Sequence, residues 1–361
     1  MHPTIMDQVR PRQRNFLCLC LLGGVLLLAD ADSCQAEDAP SLAQRFLGES
    51  ASSWEEYERF ADSLQGTMRV QLFRDGKLVA DVASTIKQKP GFKCAEIEWS
   101  FDDLSRNRDR TGRGFVQAFN PRYAFELQRK SATQPWLITA AAMANEQEEY
   151  KVFADQAAVA TMGCRALVTL DLAHSLHELV RRPSFRVLHV KPVVHNECQA
   201  VQVVFDNSHP FPPTKGERFC PFQKGVLTLD PSRFWCVRAY DVDCLYDGGA
   251  SALHGEMNYR DCARSKYPIP VRVVQRRVSQ EASGRTTTFV SEQTFDLKES
   301  ALPSDQEFSL SAFGFPEPPG IEWEKPVPWW LWLAVGGAGL LITGAAFSWL
   351  RRRALRRHAV E

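Results

Sequence analysis

The apolar and polar positions of this chain follow a helical period first and a period of two afterwards. Within residues 53–64 a capping box is followed by apolar residues on one helical face, so we predict an amphipathic helix. From Val70 onward apolar and polar residues alternate, and Asp75-Gly76 predicts a type I′ turn between two strands. The first folded elements are therefore expected to be a helix and a β-hairpin.

Segments with period two continue along most of the chain, separated by turns rich in Gly, Pro and polar residues. The alanine-rich residues 140–160 predict a helix, and the apolar positions of 172–180 predict a second one that Pro183 ends. The fold class expected from this order is α+β, with a curved antiparallel, half-barrel-like sheet and a few covering helices. The later strands are predicted at 93–99, 114–119, 123–129, 185–194, 198–205, 225–230, 235–240, 255–259, 271–278 and 286–295.

The C-terminal region contains an uncharged run from Trp329 to Leu350, followed by five arginines. Twenty-two helical residues span roughly 33 Å, enough to cross a hydrocarbon core about 30 Å thick. Tryptophans near both ends of the run suit the headgroup level, and clustered arginines stay in the cytoplasm. We predict a transmembrane helix at 329–350 and a basic cytoplasmic tail at 351–361. The expected topology is single-pass type I in the cell membrane.

The N-terminal region has the pattern of a secretory signal peptide. Arginines precede an apolar stretch at 16–29, and the small residues Ala31 and Ala36 suit cleavage. Residues 1–36 are predicted to be removed on export, leaving a periplasmic domain at 37–302, either as one unit or as two sub-domains that meet near residue 160. Residues 303–328 are rich in proline and are predicted to form a stalk.

Charge and motif content exclude several classes of partner. The chain has 43 basic and 43 acidic residues, which gives no reason to expect nucleic acid. Neither a GxGxxG motif nor a P-loop occurs, so we expect no nucleotide and no cofactor. An oxidising compartment would allow disulfides, but the spacing of the cysteines does not reveal which of them pair. Because the number of cysteines in the predicted exported domain is odd, at least one thiol stays free. The seven cysteines of the predicted exported domain are Cys94, Cys164, Cys198, Cys220, Cys236, Cys244 and Cys262.

Three groups of ionisable residues are candidates for a catalytic or metal site. None has the spacing of a known metal or nucleophile signature, and solvated or partly buried polar side chains give the same patterns. We therefore predict no catalytic residue and no metal, and a hydrolase is kept as the third alternative, which requires these groups to converge in one cleft. The groups are His174 with His177 and Glu178, Asp241 with Asp243 and Asp247, and His254 with Glu256.

The order of elements resembles a known family. Helix, hairpin, meander, helix pair and second meander, with the segment Gly225-Val-Leu-Thr-Leu-Asp-Pro-Ser-Arg-Phe-Trp-Cys-Val237, are similar to the half-barrel of bacterial lipoprotein carriers of the LolA/LolB type. Residues 307–318 also resemble the juxtamembrane segment of uncharacterised, C-terminally anchored bacterial proteins. The carrier resemblance, a pattern over residues 50–300, implies a curved sheet whose helices plug an apolar cavity that accepts acyl chains. It transfers no functional residue.

Three function hypotheses follow. The first is an envelope protein whose exported domain binds an apolar or lipidic ligand or a lipoprotein, with membrane lipid and envelope proteins as partners. The second is a non-catalytic structural or sensory module that docks another protein, and the third is the hydrolase. A cavity of about 300–1,000 Å³ would favour the first hypothesis, and a filled sheet the second. The candidate ligand-binding residues, each of which is also a normal core residue, are Trp54, Tyr57, Phe60, Phe115, Phe119, Tyr123 and Phe125.

Overall fold

The protein is described by a computed structural model over residues 39–103, 111–171, 174–208, 220–246, 249–280, 284–321 and 323, with six further positions between 337 and 344. Thirteen of its strands form one antiparallel sheet in the order β6-β5-β4-β3-β2-β1-β15-β14-β13-β12-β11-β10-β9, and β7 and β8 form a separate pair. The strand bounds are β1 Leu64–Arg74, β2 Lys77–Lys89, β3 Phe92–Asp102, β4 Gly114–Phe119, β5 Tyr123–Arg129, β6 Leu137–Met143, β7 Thr169–Leu170, β8 His174–Ser175, β9 Arg186–His195, β10 Cys198–Asp206, β11 Phe222–Asp230, β12 Cys236–Tyr246, β13 Gly249–Asp261, β14 Pro268–Gln280 and β15 Thr286–Glu299.

The first and last strands of this sheet are neighbours at its centre. β1 pairs with β15 from Leu64 opposite Glu299 to Arg74 opposite Phe289. Two meanders, β1 to β6 and β9 to β15, are therefore joined edge to edge, and β6 and β9 form the two outer edges. The predicted hairpin between β1 and β2 is confirmed, since Asp75 and Gly76 have φ values of 50° and 79°, as a type I′ turn requires.

Helices cover one face of the sheet. They are α1 Ala39–Ala61, α2 Gln147–Ala160 and α3 Leu176–Val180, with a 3-10 turn at Met162–Val168. The ladders place Ile86, Ala95 and Gln117 on this inner face, while Cys94 and Ala118 lie on the outer face. The main core is on the inner face, where α1 buries apolar residues at helical spacing against β9 to β15.

The outer face is partly covered by a segment near the C-terminus. Residues 303–321, which include 3-10 turns at Asp305–Phe308 and Leu310–Phe313, pack against β3 to β5. Phe308 and Leu310 are buried there with Val116 and Leu127. The proline content of this part of the sequence predicts a stalk, but its aromatic and aliphatic residues are removed from water by the sheet. We call residues 303–321 the strap.

The predicted fold class is wrong in two respects. The structure is dominated by one broad antiparallel sheet of thirteen strands, and the helix predicted at 140–160 is shorter, because residues 140–143 pair with β5 and only 147–160 are helical. In the described part of the chain, no helix combines the length and apolarity needed to cross a membrane. The predicted C-terminal transmembrane helix is therefore not shown among the described residues. Most of 329–350, together with 1–36 and 351–361, lies outside the described residues.

Candidate functional site

A cavity lies between α2 and the inner face of β3, β4 and β5. Its volume is about 710 Å³, and its sheet side includes Ile97, Trp99 and Phe115. The helix side includes Val159, which is 61% exposed, and Ala160. This volume is in the range of small-molecule sites, which are lined mainly by apolar and aromatic side chains. We call it the α2 cavity.

Strand alternation explains why these residues face the helix. On β4, Val116 and Ala118 are buried on the outer face, so Phe115 and Gln117 must point to the inner face. Ile97 is opposite Phe115 in the β3–β4 ladder and lies on the same face. Helix α2 packs over β3 to β6 on this face. The space left between α2 and these side chains is the cavity.

The α2 cavity is also lined by six polar or charged residues: Arg113, Gln117, Glu126, Gln128, Asp155 and Gln156. Gln117 Nε2 lies 3.5 Å from Glu126 Oε2, and Thr139 Oγ1 donates a hydrogen bond to Glu126 Oε1 at 3.0 Å. A cavity that combines an apolar and aromatic patch with this many polar groups can hold an apolar body and fix the orientation of a polar end.

The three candidate residues on the first helix belong to the main core. Trp54 Nε1 donates to the carbonyl oxygen of Trp235 at 2.9 Å, and Tyr57 OH donates to that of Pro268 at 3.0 Å. Phe60 stacks on another ring of the same core. A buried polar atom needs a partner of this kind, so these hydrogen bonds fix the aromatic side chains of α1 in the main core.

The four candidates on the meander are divided between the two faces. Phe115 lines the α2 cavity, whereas Tyr123 and Phe125 are buried beneath the strap on the outer face. Phe119 is half-buried at the end of β4, opposite Ala124. The structure therefore does not bring the seven candidates together. The sequence reasoning missed four apolar residues that line the cavity: Ile97, Trp99, Val159 and Ala160. For Ile97 and Trp99 a signal was present, since they alternate with charged residues along β3.

The histidines near α3 do not form a catalytic relay. The ring of His174 packs edge-on against that of Phe222, with centroids 5.1 Å apart. His177 Nδ1 lies 2.6 Å from Ser175 Oγ and 3.1 Å from Glu58 Oε1. A serine–histidine–acid relay uses the two different ring nitrogens, but here both partners meet the same one.

The carboxylate cluster lies on the opposite side of the sheet from His177. Leu253 is in the main core, so its neighbour His254 projects from the outer face, where Nδ1 lies 2.7 Å from Asp241 Oδ1. Asp243 forms an ion pair with Lys224, and Asp247 lies outside the described residues. The cleft required by the hydrolase hypothesis is not formed. Within the described ranges, no three His, Cys, Asp or Glu side chains converge as metal ligands.

The disulfides that the sequence allowed are not formed. Each of the seven cysteines is a free thiol, and five of them are buried. Burial raises the pKa of Cys94 and of Cys164 to about 12, so these two thiols stay protonated and unreactive at neutral pH.

Comparisons with known proteins do not assign this chain to a family. No family model matches it, and no curated protein gives a significant match. Among solved structures, a protein named Odorant Binding Protein OBP1 is 14% identical and is matched over 38% of this chain and 71% of its own length, with a TM-score of 0.13. This is a weak structural likeness, and a TM-score this low carries no argument about fold or ligand. The LolA/LolB type of carrier is not among these findings.

Proposed function

We propose that this protein binds an apolar or lipidic ligand in the α2 cavity. The observation that carries the proposal is the cavity itself, about 710 Å³ between one helix and a sheet face that presents Ile97, Trp99 and Phe115. Removing a ligand's alkyl groups from water there would stabilise the complex by about 0.8 kcal/mol per buried CH₂ group. A filled sheet would have favoured a docking module, so the cavity favours the ligand-binding hypothesis over that one.

The finer form of the proposal is a carrier in the cell envelope. The signal-like segment at 1–36 supports export to the periplasm, and the pattern over residues 50–300 supports a likeness to LolA/LolB-type carriers. Membrane lipid or the acyl chain of a lipoprotein would then be the source of the ligand.

Two valines on α2 allow a matched test of the proposed site. Val159 lines the cavity and Val152 does not, although both are more than half exposed. The V159W variant would fill the cavity with an indole, while V152W would add the same side chain elsewhere on the helix. We expect V159W to weaken binding of an uncharged fluorescent alkyl probe by roughly tenfold, equivalent to about 1.4 kcal/mol, and V152W to leave it unchanged. Equal affinities for the two variants, or no probe binding by the unmodified chain, would remove the proposal.

A further inference from the structure

A second cavity lies on the outer face of the C-terminal half of the sheet. It has a volume of about 520 Å³ and extends from β9 to β14. Five strands contribute one aliphatic residue each to its floor and wall: Leu188, Val204, Val226, Ala252 and Val278. No residue of this set lines the α2 cavity, so the two cavities are separate. We call this one the outer cavity.

A β-bulge places one wall of the outer cavity. His189 pairs with Val204 and Val187 with Phe205, so Leu188 is the extra residue of β9. Val187 and Val190 both contact the main core, which leaves Leu188 on the outer face. Its side chain is 62% exposed, high for a leucine in a strand. Bulges commonly redirect a side chain beside a functional site.

The charged groups around the outer cavity form ion pairs with one another, with the exception of Arg276. Asp241 is bound by His254, and Asp243 by Lys224, with an N···O distance of 3.5 Å in the second pair. Glu256 Oε1 lies 3.6 Å from His254 Nε2. Arg276 stands opposite His254 in the β13–β14 ladder and lines the cavity. Across the part of the chain that the structure describes, this exposed guanidinium has no hydrogen bond or ion pair.

We propose that the outer cavity binds a single-chain alkyl carboxylate. The aliphatic residues would contact the alkyl chain, and the guanidinium of Arg276 would bind the carboxylate. A guanidinium presents parallel N–H donors that match the two oxygens of a carboxylate, which makes this pair directional as well as charged. The carboxylates of Asp241 and Asp243 do not compete strongly for Arg276, because each already has a cationic or imidazole partner.

The test is calorimetric titration of the whole chain with dodecanoate below its micelle concentration. Dodecanol serves as the uncharged chain of equal length. R276Q should weaken dodecanoate binding roughly tenfold or more, because a charge-assisted hydrogen-bonded pair is lost. R272Q is the matched control, since Arg272 is on the same strand, does not line the cavity, and is paired with Glu292 at 3.2 Å. Dodecanol affinity should be the same in both variants.

Four results would overturn the inference. Equal loss in R276Q and R272Q would show a general charge effect, and dodecanol binding as tight as dodecanoate binding would show that only the apolar floor acts. Dodecanoate binding that disappears in V159W would assign the carboxylate to the α2 cavity instead. The last result also separates the two proposals, because the outer cavity should be unaffected by V159W. Binding of anionic phospholipid vesicles in place of dodecanoate would likewise contradict a single-chain ligand.

Discussion

Glu317 connects the strap to the sheet through its two carboxylate oxygens. Oε2 accepts hydrogen bonds from Tyr123 OH at 2.5 Å and from Trp323 Nε1 at 3.0 Å, and Oε1 accepts one from the Ser311 N–H at 2.8 Å. Burial raises the pKa of this carboxyl, but the hydrogen bonds together hold it below its ordinary value. The charged form is therefore the one that the folded strap stabilises.

The E317Q variant tests this connection through pH. A carboxyl whose pKa is lower in the folded state contributes stability above its unfolded pKa of about 4.5, and this contribution is lost as the pH falls through the folded value. The difference in unfolding free energy between unmodified protein and E317Q should thus be largest at neutral pH and shrink in acid. Urea denaturation at several pH values measures it. A difference that stays constant from neutral to acidic pH would contradict the role given to the charge.

At the scale of elements, the strap is expected to stabilise the sheet as part of its core. Phe308 is fully buried in the outer-face core, whereas Leu302, directly before the strap, is 61% exposed. Phe308→Ala should reduce the unfolding free energy by about 3–5 kcal/mol, since it leaves a cavity in a packed core. Leu302→Ala should change it by no more than about 0.5 kcal/mol. Similar small effects of both substitutions in chemical denaturation would show that the strap does not pack as described.

Most strands could be predicted from the sequence because alternation is a local signal. Helices were harder to place. The alanines of residues 140–143 favour a helix by intrinsic propensity, but hydrogen bonding to β5 makes them a strand. The first helix begins at Ala39 and not at Ser53, so the predicted capping box lies in the interior of α1. Tertiary packing determined both the strand at 140–143 and the start of α1. A short window of neighbouring residues contains no information about such contacts.

The candidate site was predicted only in part for a related reason. Phe115 was identified because it is aromatic and lies in a strand. Its partner Val159 comes from a helix 44 positions later in the sequence, and only the packing of α2 over β3 to β5 brings the two to one cavity. Tyr123 and Phe125 have the same aromatic character, yet strand parity places them on the other face, under the strap.

At the scale of the whole molecule, the pairing of β1 with β15 makes one sheet from two meanders. Gly66 has a φ of 143°, and a Cβ atom at this position would collide with the carbonyl oxygen of Asp296 on β15. The close approach of these two strands therefore depends on glycine. Their union gives the sheet enough width to carry separate cavities in its two halves, the α2 cavity on the inner face and the outer cavity on the other.

Photo-crosslinking of the purified whole chain with an uncharged alkyl diazirine tests the central claim most directly. Mass spectrometry of the digested protein would locate the labelled residues. The account predicts label on Ile97, Trp99, Phe115 and Ala160, which line the α2 cavity, and a large reduction of this label in V159W but not in V152W. Absence of label from these residues, or the same labelling in both variants, would contradict an apolar-ligand site between α2 and the sheet.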